Sequence, residues 1–317
     1  MATALACCGA NSAIISAFSR QDRCMQVLII FNPTAGTASQ QLIDAIEQRL
    51  QQAGVTVQRY ATRHAGDAMD YLAAYDGELD VVAAAGGDGT LNEVVNGMRQ
   101  RDNQSWRLAI IPTGTTNVLA TELGIRRRAG ALAQMILNGR EQALYPGRIN
   151  GRRFLLMAGV GYDAWVVDKV DLALKKKAGK LAYVKSMLQQ LRHFGRKQYR
   201  LQVDGVPYSA SSVVMTNGRC YGGSFIISRQ ADLRAPTTQV LMMNGGSPWA
   251  LLLSLLGLPL GLMEKMPGIV SVPARRVDIE LVGEQAEPEP VQADGDSLAQ
   301  LPLQLVMEEQ PLRVLVP

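Results

Sequence analysis

The sequence predicts an α/β chain in two parts, a parallel, doubly wound N-terminal layer followed by a mainly antiparallel β half. Three observations carry that expectation. Between Met25 and about residue 142, buried apolar runs alternate with segments whose apolar residues recur at helical spacing. Polar, glycine-bearing loops follow three of those apolar runs. Beyond that point the rhythm changes to short runs punctuated by Asn-Gly and Asp-Gly pairs, the dipeptides of tight hairpin turns. A chain of 317 residues has room for two domains, and 47% hydrophobic with 19% charged residues excludes disordered, collagen-like and coiled-coil classes.

Residues 1–24 lack a basic n-region, and Ala13–Phe18 is too short and too interrupted by serine for a signal peptide, so a loose N-terminal extension is expected. Met25 directly precedes QVLIIF, where the folded chain is expected to begin; an upstream start chosen in error would explain the rest. Val27–Phe31 reads as a buried strand, and Leu42, Ile43, Ile46 and Leu50 mark a helix ending at Gly54. Val55–Tyr60, a helix around Ala65–Tyr75, the strand Leu79–Ala85, a helix over Leu91–Met98 and the strand Leu108–Ile111 continue the unit, giving a domain over 25–142. The second domain, 143–317, carries Asn150-Gly151, Asp204-Gly205 and the runs Arg200–Val203, Ser212–Thr216, Gln239–Met243 and Val277–Val282.

Two helical insertions interrupt those strands. Residues 169–200 hold ten Lys or Arg against the single Asp171, a local charge of +9 in a chain of net +4, which suits an anionic lipid surface as well as a merely solvated helix face. Pro248–Met263 is leucine-rich and serves equally as a core helix or as an apolar face; no segment reaches the ~18 apolar residues needed to span a bilayer. The basic segment lacks interleaved aromatics, which argues against nucleic acid. Four cysteines without CxxC spacing and two histidines, His64 and His193, leave neither a structural zinc site nor a multi-histidine metal centre.

The chemistry therefore rests on loops. Gly86-Gly87-Asp88-Gly89-Thr90 stands directly after VVAAA and directly before LNEVVNG. Three glycines let backbone N–H groups approach an oxyanion, and the helix that follows favours negative charge, so phosphate is the natural occupant. An aspartate there repels phosphate unless a cation intervenes, so Asp88 implies Mg²⁺ held through water. A tight turn with purely geometric glycines is the competing explanation. No GxxxxGK[ST] or post-strand GxGxxG occurs. Pro112-Thr113-Gly114-Thr115-Thr116-Asn117 and Asn32-Pro33-Thr34-Ala35-Gly36 follow other strands and converge on the same carboxyl edge. Thr115, Thr116 and Asn117 suit phosphate binding or the capping of the next helix.

GGDGTLNEVVNG, NPTAG after the first strand, PTGTTN after the fourth and the late Asp294-Gly295-Asp296 together resemble the diacylglycerol kinase catalytic-domain family, which includes bacterial lipid kinases and sphingosine and ceramide kinases. The likeness runs from Met25 to Pro317. The glycine-rich motif alone is shared with NAD kinases and resembles phosphofructokinase. The resemblance implies an NAD kinase/phosphofructokinase-like N-terminal α/β domain and a C-terminal β domain, with the last strand returning to the first domain. It implies an ATP- and Mg²⁺-dependent kinase acting on a hydroxyl of diacylglycerol or a related lipid, cytoplasmic or peripheral at the inner face of the membrane. By matching motif, Asn32, Pro33, Thr34, Ala35, Gly36, Thr62, Gly86, Gly87, Asp88, Gly89, Thr90, Leu91, Asn92 and Thr115 surround ATP, with Asp294 as general base and Asp296 beside it. Spacing alone does not choose between Asp294-Gly295 and Asp204-Gly205, each of which also reads as a β-turn. The chain departs from the family at Val118, where an acid is common, and at Leu233–Thr238, where an acidic metal loop is expected. Gly159–Asp163 also matches, and a strand-to-helix turn accounts for its glycines without a catalytic role. NAD kinase and a non-catalytic binder on the same scaffold are the rivals.

Overall fold

The computed structural model describes residues 24–317 except 36, 100–104, 171–179, 192–193, 245–246 and 284–287. The N-terminal half alternates β1 (Gln26–Phe31), α1 (Thr37–Gln52), β2 (Thr56–Ala61), α2 (Asp67–Ala74), β3 (Val81–Gly86), α3 (Asp88–Arg99) and β4 (Arg107–Pro112). Two more helices, α4 (Val118–Glu122) and α5 (Ala129–Asn138), and β5 (Arg140–Leu144) follow. Every residue of β3 is buried, as a central parallel strand covered by helices on both faces requires. The apolar residues of α1, Ile43, Ile46 and Leu50, are buried at helical spacing, so this helix docks one stripe on the sheet.

The second half runs β6 (Gly147–Ile149), β7 (Arg152–Phe154), β8 (Met157–Val160), α6 (Tyr162–Asp168), α7 (Lys180–Leu191), β9 (Tyr199–Val203), β10 (Val206–Ala210) and β11 (Ser212–Thr216). The small pair β12 (Cys220–Tyr221) and β13 (Phe225–Ile226) precedes β14 (Thr238–Met243), α8 (Pro248–Leu256), β15 (Ile269–Ala274) and β16 (Arg276–Leu281). The chain closes with β17 (Pro290–Ala293), β18 (Asp296–Gln300), β19 (Leu303–Met307) and β20 (Leu312–Val316).

The first sheet has the order β2-β1-β3-β4-β20-β5, with β1, β2, β3 and β4 mutually parallel. The final strand β20 thus lies in this sheet, parallel to β4 and antiparallel to β5. Two antiparallel sheets, β10-β9-β16-β19-β6-β7 and β15-β14-β11-β8-β17-β18, face each other as a sandwich. Their shared core includes Phe154, Tyr199, Leu201, Val213, Met242, Val277, Val291 and Leu305. In β9, residues 199, 201 and 203 point into that core and 200 and 202 out, the alternation of a half-buried strand. Both Asp-Gly pairs form hairpin turns with positive φ at each residue: Asp204-Gly205 joins β9 to β10 and Asp294-Gly295 joins β17 to β18.

Pro248–Met263 is helical only to Leu256 and ends in a run of turns. Residues 1–23, Gly36 and much of the basic segment, including Lys175, Lys176, Lys177 and Arg192, lie outside the described residues.

Candidate functional site

Because β1, β3 and β4 are parallel, their carboxyl ends meet at one edge, and the loops leaving them are knitted together by backbone bonds. Asn32 N donates to Ala85 O at 3.3 Å, and Thr113 N and Gly114 N both donate to Gly86 O, at 3.1 and 3.2 Å. A Cβ on Gly114 would lie 2.4 Å from the Gly87 Cα, so two loops touch backbone to backbone there and position 114 does not tolerate a side chain. Asn117 closes its own loop, its Nδ2 donating to Gly114 O at 2.7 Å and its Oδ1 accepting from Gly114 N at 3.1 Å. It makes no side-chain cap on α4, so of its expected duties capping is not the one this geometry performs. In the first loop, Asn32 Oδ1 accepts from Thr34 N and Oγ1 at 2.9 and 2.7 Å.

Asp88 opens α3, mostly buried. Its Oδ2 accepts from Val118 N at 3.3 Å, so position 118 contributes through its backbone. Burial, foremost, pushes its carboxyl up to about 6; the charges of Asp294 and Asp296 add to the rise, while donation from Val118 and Leu119 opposes it.

The sandwich supplies the facing wall. Asp294 sits in the β17–β18 turn, held by four donors: Leu155 N and Asn92 Nδ2 to Oδ2 at 2.8 and 3.0 Å, Leu156 N and Met157 N to Oδ1 at 2.8 and 3.2 Å. Burial raises its pKa and these four bonds oppose the rise. Asn92 also donates to Arg153 O at 3.0 Å, and one turn on, Asn96 accepts from Arg153 N at 2.8 Å. These two asparagines at i and i+4 on α3 therefore clamp the helix to the strand β7. Asp296 is exposed, its Oδ2 standing 3.1 Å from where a Cβ on Gly89 would be.

A cavity of about 870 Å³ lies between these walls, and Asp88, Asp294 and Asp296 all line it. Of the other expected residues, Asn32, Thr34, Thr62, Gly87, Gly89, Thr90 and Thr115 line it too. Pro33, Gly86, Leu91 and Asn92 do not: Gly86 ends β3 with the Thr90 side chain against it, Leu91 is buried in the core, and Asn92 lies behind the wall holding Asp294. Glu93 accepts from Gly66 N at 2.8 Å and so sets the loop that carries Thr62 and Arg63 against the cavity.

Away from the glycine loops the lining turns apolar, with Leu156, Met157, Val166, Val167, Met187, Phe225, Leu255, Leu258 and Pro259. Among them stands a polar group, the Asp163 that closes the Gly159–Asp163 turn. Asp163 is buried, accepting from the Tyr221 hydroxyl and from Gln292 Nε2, and Gln292 Oε1 in turn accepts from Gly295 N at 3.1 Å. Burial raises the Asp163 pKa, against those two donors. Gln292, in β17, lies two residues before Asp294, but Asp294 belongs to the turn beyond the strand, so alternation gave no signal that the two share a site. Tyr221 had no local signal: it is positioned by Glu122 at the end of α4, which accepts from Arg219 N and Cys220 N at 2.6 and 2.9 Å.

Among the described residues no group of three or more His, Cys, Asp or Glu is arranged to cage a metal ion. The donor set fits Mg²⁺ in another way: this ion is commonly held by one or two carboxylates plus substrate phosphates, and Asp88 offers a carboxylate beside the glycine loops. Among the described residues, no helix is long and apolar enough to cross a membrane.

The family model described as the diacylglycerol kinase catalytic domain matches residues 26–149, and that described as the YegS C-terminal NAD kinase beta sandwich-like domain matches residues 157–316. The chain is 37% identical over 182 residues to a diacylglycerol kinase of Bacillus subtilis strain 168, covering 56% of this chain and 59% of that protein. It is 33% identical over 193 residues to a diacylglycerol kinase of Staphylococcus aureus strain Newman, covering 60% and 61%. The chain thus matches about three fifths of the length of these curated relatives. A crystal structure of a diacylglycerol kinase from Bacillus anthracis strain Sterne matches with a TM-score of 0.76 at 24% identity, over 94% of this chain and 99% of that one, a likeness of fold.

Proposed function

The chain belongs to the diacylglycerol kinase catalytic-domain family, with the YegS-type C-terminal domain, and from that membership we propose that it is an ATP-dependent lipid kinase phosphorylating a hydroxyl of diacylglycerol or a related lipid. The observation that carries the reading is one cavity that is carboxylate- and glycine-lined at one end and apolar at the other. A phosphate donor suits the first environment and an acyl chain the second. The apolar end counts against the dinucleotide of an NAD kinase. In this reading residues 25–142 hold nucleotide, 143–317 hold lipid, and the enzyme works where ATP is, in the cytoplasm or at the inner face of its membrane.

The loops from β1, β3 and β4 take the phosphates, with Asn32, Thr34, Gly87, Gly89, Thr90 and Thr115 around them and Thr62 toward the nucleoside. Mg²⁺, held by Asp88 directly or through water, supplies neutralisation of phosphate charge in phosphoryl transfer. Asp294 takes the hydroxyl proton, made more basic by burial. The four donors on its two oxygens fix its orientation, and one of them must yield as the proton arrives. Asp296, above Gly89, adds negative charge beside the pair.

ADP release across a panel of diacylglycerol, sphingoid base, ceramide, phosphatidylglycerol and NAD tests the reading. Release only with NAD, or tight lipid binding with none, overturns it. Asp294→Asn should abolish turnover while ATP binding persists; retained turnover moves proton transfer to another group.

A further inference from the structure

The outward face of α8 is apolar where a surface helix is ordinarily charged. Trp249 is 78% exposed, Leu253 57% and Leu256 63%, at i, i+4 and i+7, and Leu260 in the following turn is 66% exposed. The inward face already has its partners: Leu251, Ser254, Leu258 and Met263 are buried. No charged residue occurs from Asn244 to Met263. A contiguous stripe of this kind on a soluble surface marks an interaction site.

The stripe is continuous with the apolar half of the cavity. Leu255 and Leu258, on the same segment, line that cavity while Leu253, Leu256 and Leu260 face solvent. The opposite helix repeats the arrangement, Met187 lining the cavity and Leu188 being 64% exposed. The border of the stripe is basic. Arg229, exposed, donates to Gly261 O at 3.0 Å, and Lys265 is exposed, while Glu264 is occupied by Ser228, Arg229 N and Ser271.

We propose that the Trp249–Leu260 face inserts into the interfacial region of a phospholipid bilayer, so that the apolar end of the cavity opens against the acyl layer and the lipid substrate enters without crossing water. The choice of a bilayer rests on the lipid-kinase reading; the exposed face does not. Apolar insertion anchors the protein, and Arg229 and Lys265 meet headgroup phosphates. In the basic segment at 169–200, three of the described cations already have partners. Lys169, Lys197 and Arg200 are ion-paired with Asp168, Glu289 and Glu280, and the first two also lie 5.1 and 4.9 Å from the Trp165 ring centroid.

The test uses the full chain with phosphatidylcholine vesicles containing neither diacylglycerol nor nucleotide. Of the three tryptophans, Trp106 is buried, Trp165 half-buried and Trp249 exposed, so Trp249 reports on the face. Its emission should shift to the blue and be quenched by lipids brominated on the acyl chain, and Trp249→Phe should remove that quenching. Leu253→Ser with Leu256→Ser should weaken partitioning at least roughly tenfold, given what burying a leucine side chain is worth. Turnover of a short-chain diacylglycerol dispersed as monomers should stay at the wild-type level in the double variant, while turnover of vesicle-borne lipid falls.

Wild-type partitioning by the double variant, or sedimentation without quenching of Trp249, overturns the proposal. So does a wild-type dimer that the double variant splits, which would make a second copy the occupant. Turnover of monomeric lipid without vesicle binding overturns the surface alone. Insertion without turnover of any lipid sinks the kinase reading and supports the surface.

Discussion

Asp88→Asn should make the protein more stable while it destroys the proposed activity. The wild-type carboxyl sits mostly buried at the start of α3, and burial with the neighbouring Asp294 and Asp296 charges raises its pKa to about 6. An unfolded aspartate titrates near 4, so the folded protein binds this proton more tightly than the unfolded chain does. The ionised form is therefore a liability of the fold, fully present above pH 6, shrinking as pH falls and gone below about 4. Each tenfold in proton affinity is worth about 1.4 kcal/mol, so the penalty at neutral pH is about 3 kcal/mol. Asparagine keeps an oxygen for the Val118 N–H and carries no charge. Urea melts in chelator should find the variant more stable by about 3 kcal/mol at pH 7.5, with the gap closing toward pH 4. Adding Mg²⁺ and a non-hydrolysable ATP analogue should raise wild-type stability through binding linkage and leave the variant nearly unmoved. A variant less stable than wild type at pH 7.5, or a gap independent of pH, refutes the reasoning.

Other perturbations follow from contacts across the same site. Gly114→Ala would put a methyl group 2.4 Å from the Gly87 Cα, and backbone cannot give way as a side chain can. Urea melts should show a loss of about 1–3 kcal/mol and calorimetry a loss of ATP affinity; an unchanged protein would mean the loops do not need their contact. Asn92→Leu removes the amide that serves both Asp294 and Arg153 O, and should destabilise by about 1–3 kcal/mol while lowering kcat more than it raises KM for ATP. Equal stability would show that the clamp between α3 and β7 is immaterial. Burial and Glu122 push the Cys220 thiol up to about 11, so it stays protonated near neutrality. Iodoacetamide at pH 8, read by mass spectrometry, should label exposed Cys24 and spare Cys220 until the protein is unfolded or the pH approaches 11; equal labelling of both contradicts that environment.

The strand–helix alternation of the first half was readable because each element is local: period and length are written in consecutive residues, as in VVAAA and the Ile43–Leu50 stripe. The glycine loops were readable for the same reason, since a loop after a parallel strand has one place to go. Asp294 was reached only through a resemblance, because an Asp-Gly pair looks alike whether it merely turns, as at 204, or also faces α3, as at 294.

What the linear order alone determined, then, is the fold class, the carboxyl edge and the phosphate-suited loops. Tertiary structure decided that Asn92 holds Asp294 instead of lining the cavity, and that Asp163, Gln292 and Tyr221 form a buried polar cluster beside the apolar lining. It also turned Trp249, Leu253 and Leu256 of α8 outward. These depend on contacts between residues as much as 202 positions apart, and no periodicity records which distant surface a side chain will meet. Helical spacing places an apolar stripe on one side of a helix, but only the packed neighbours determine which side is the inside.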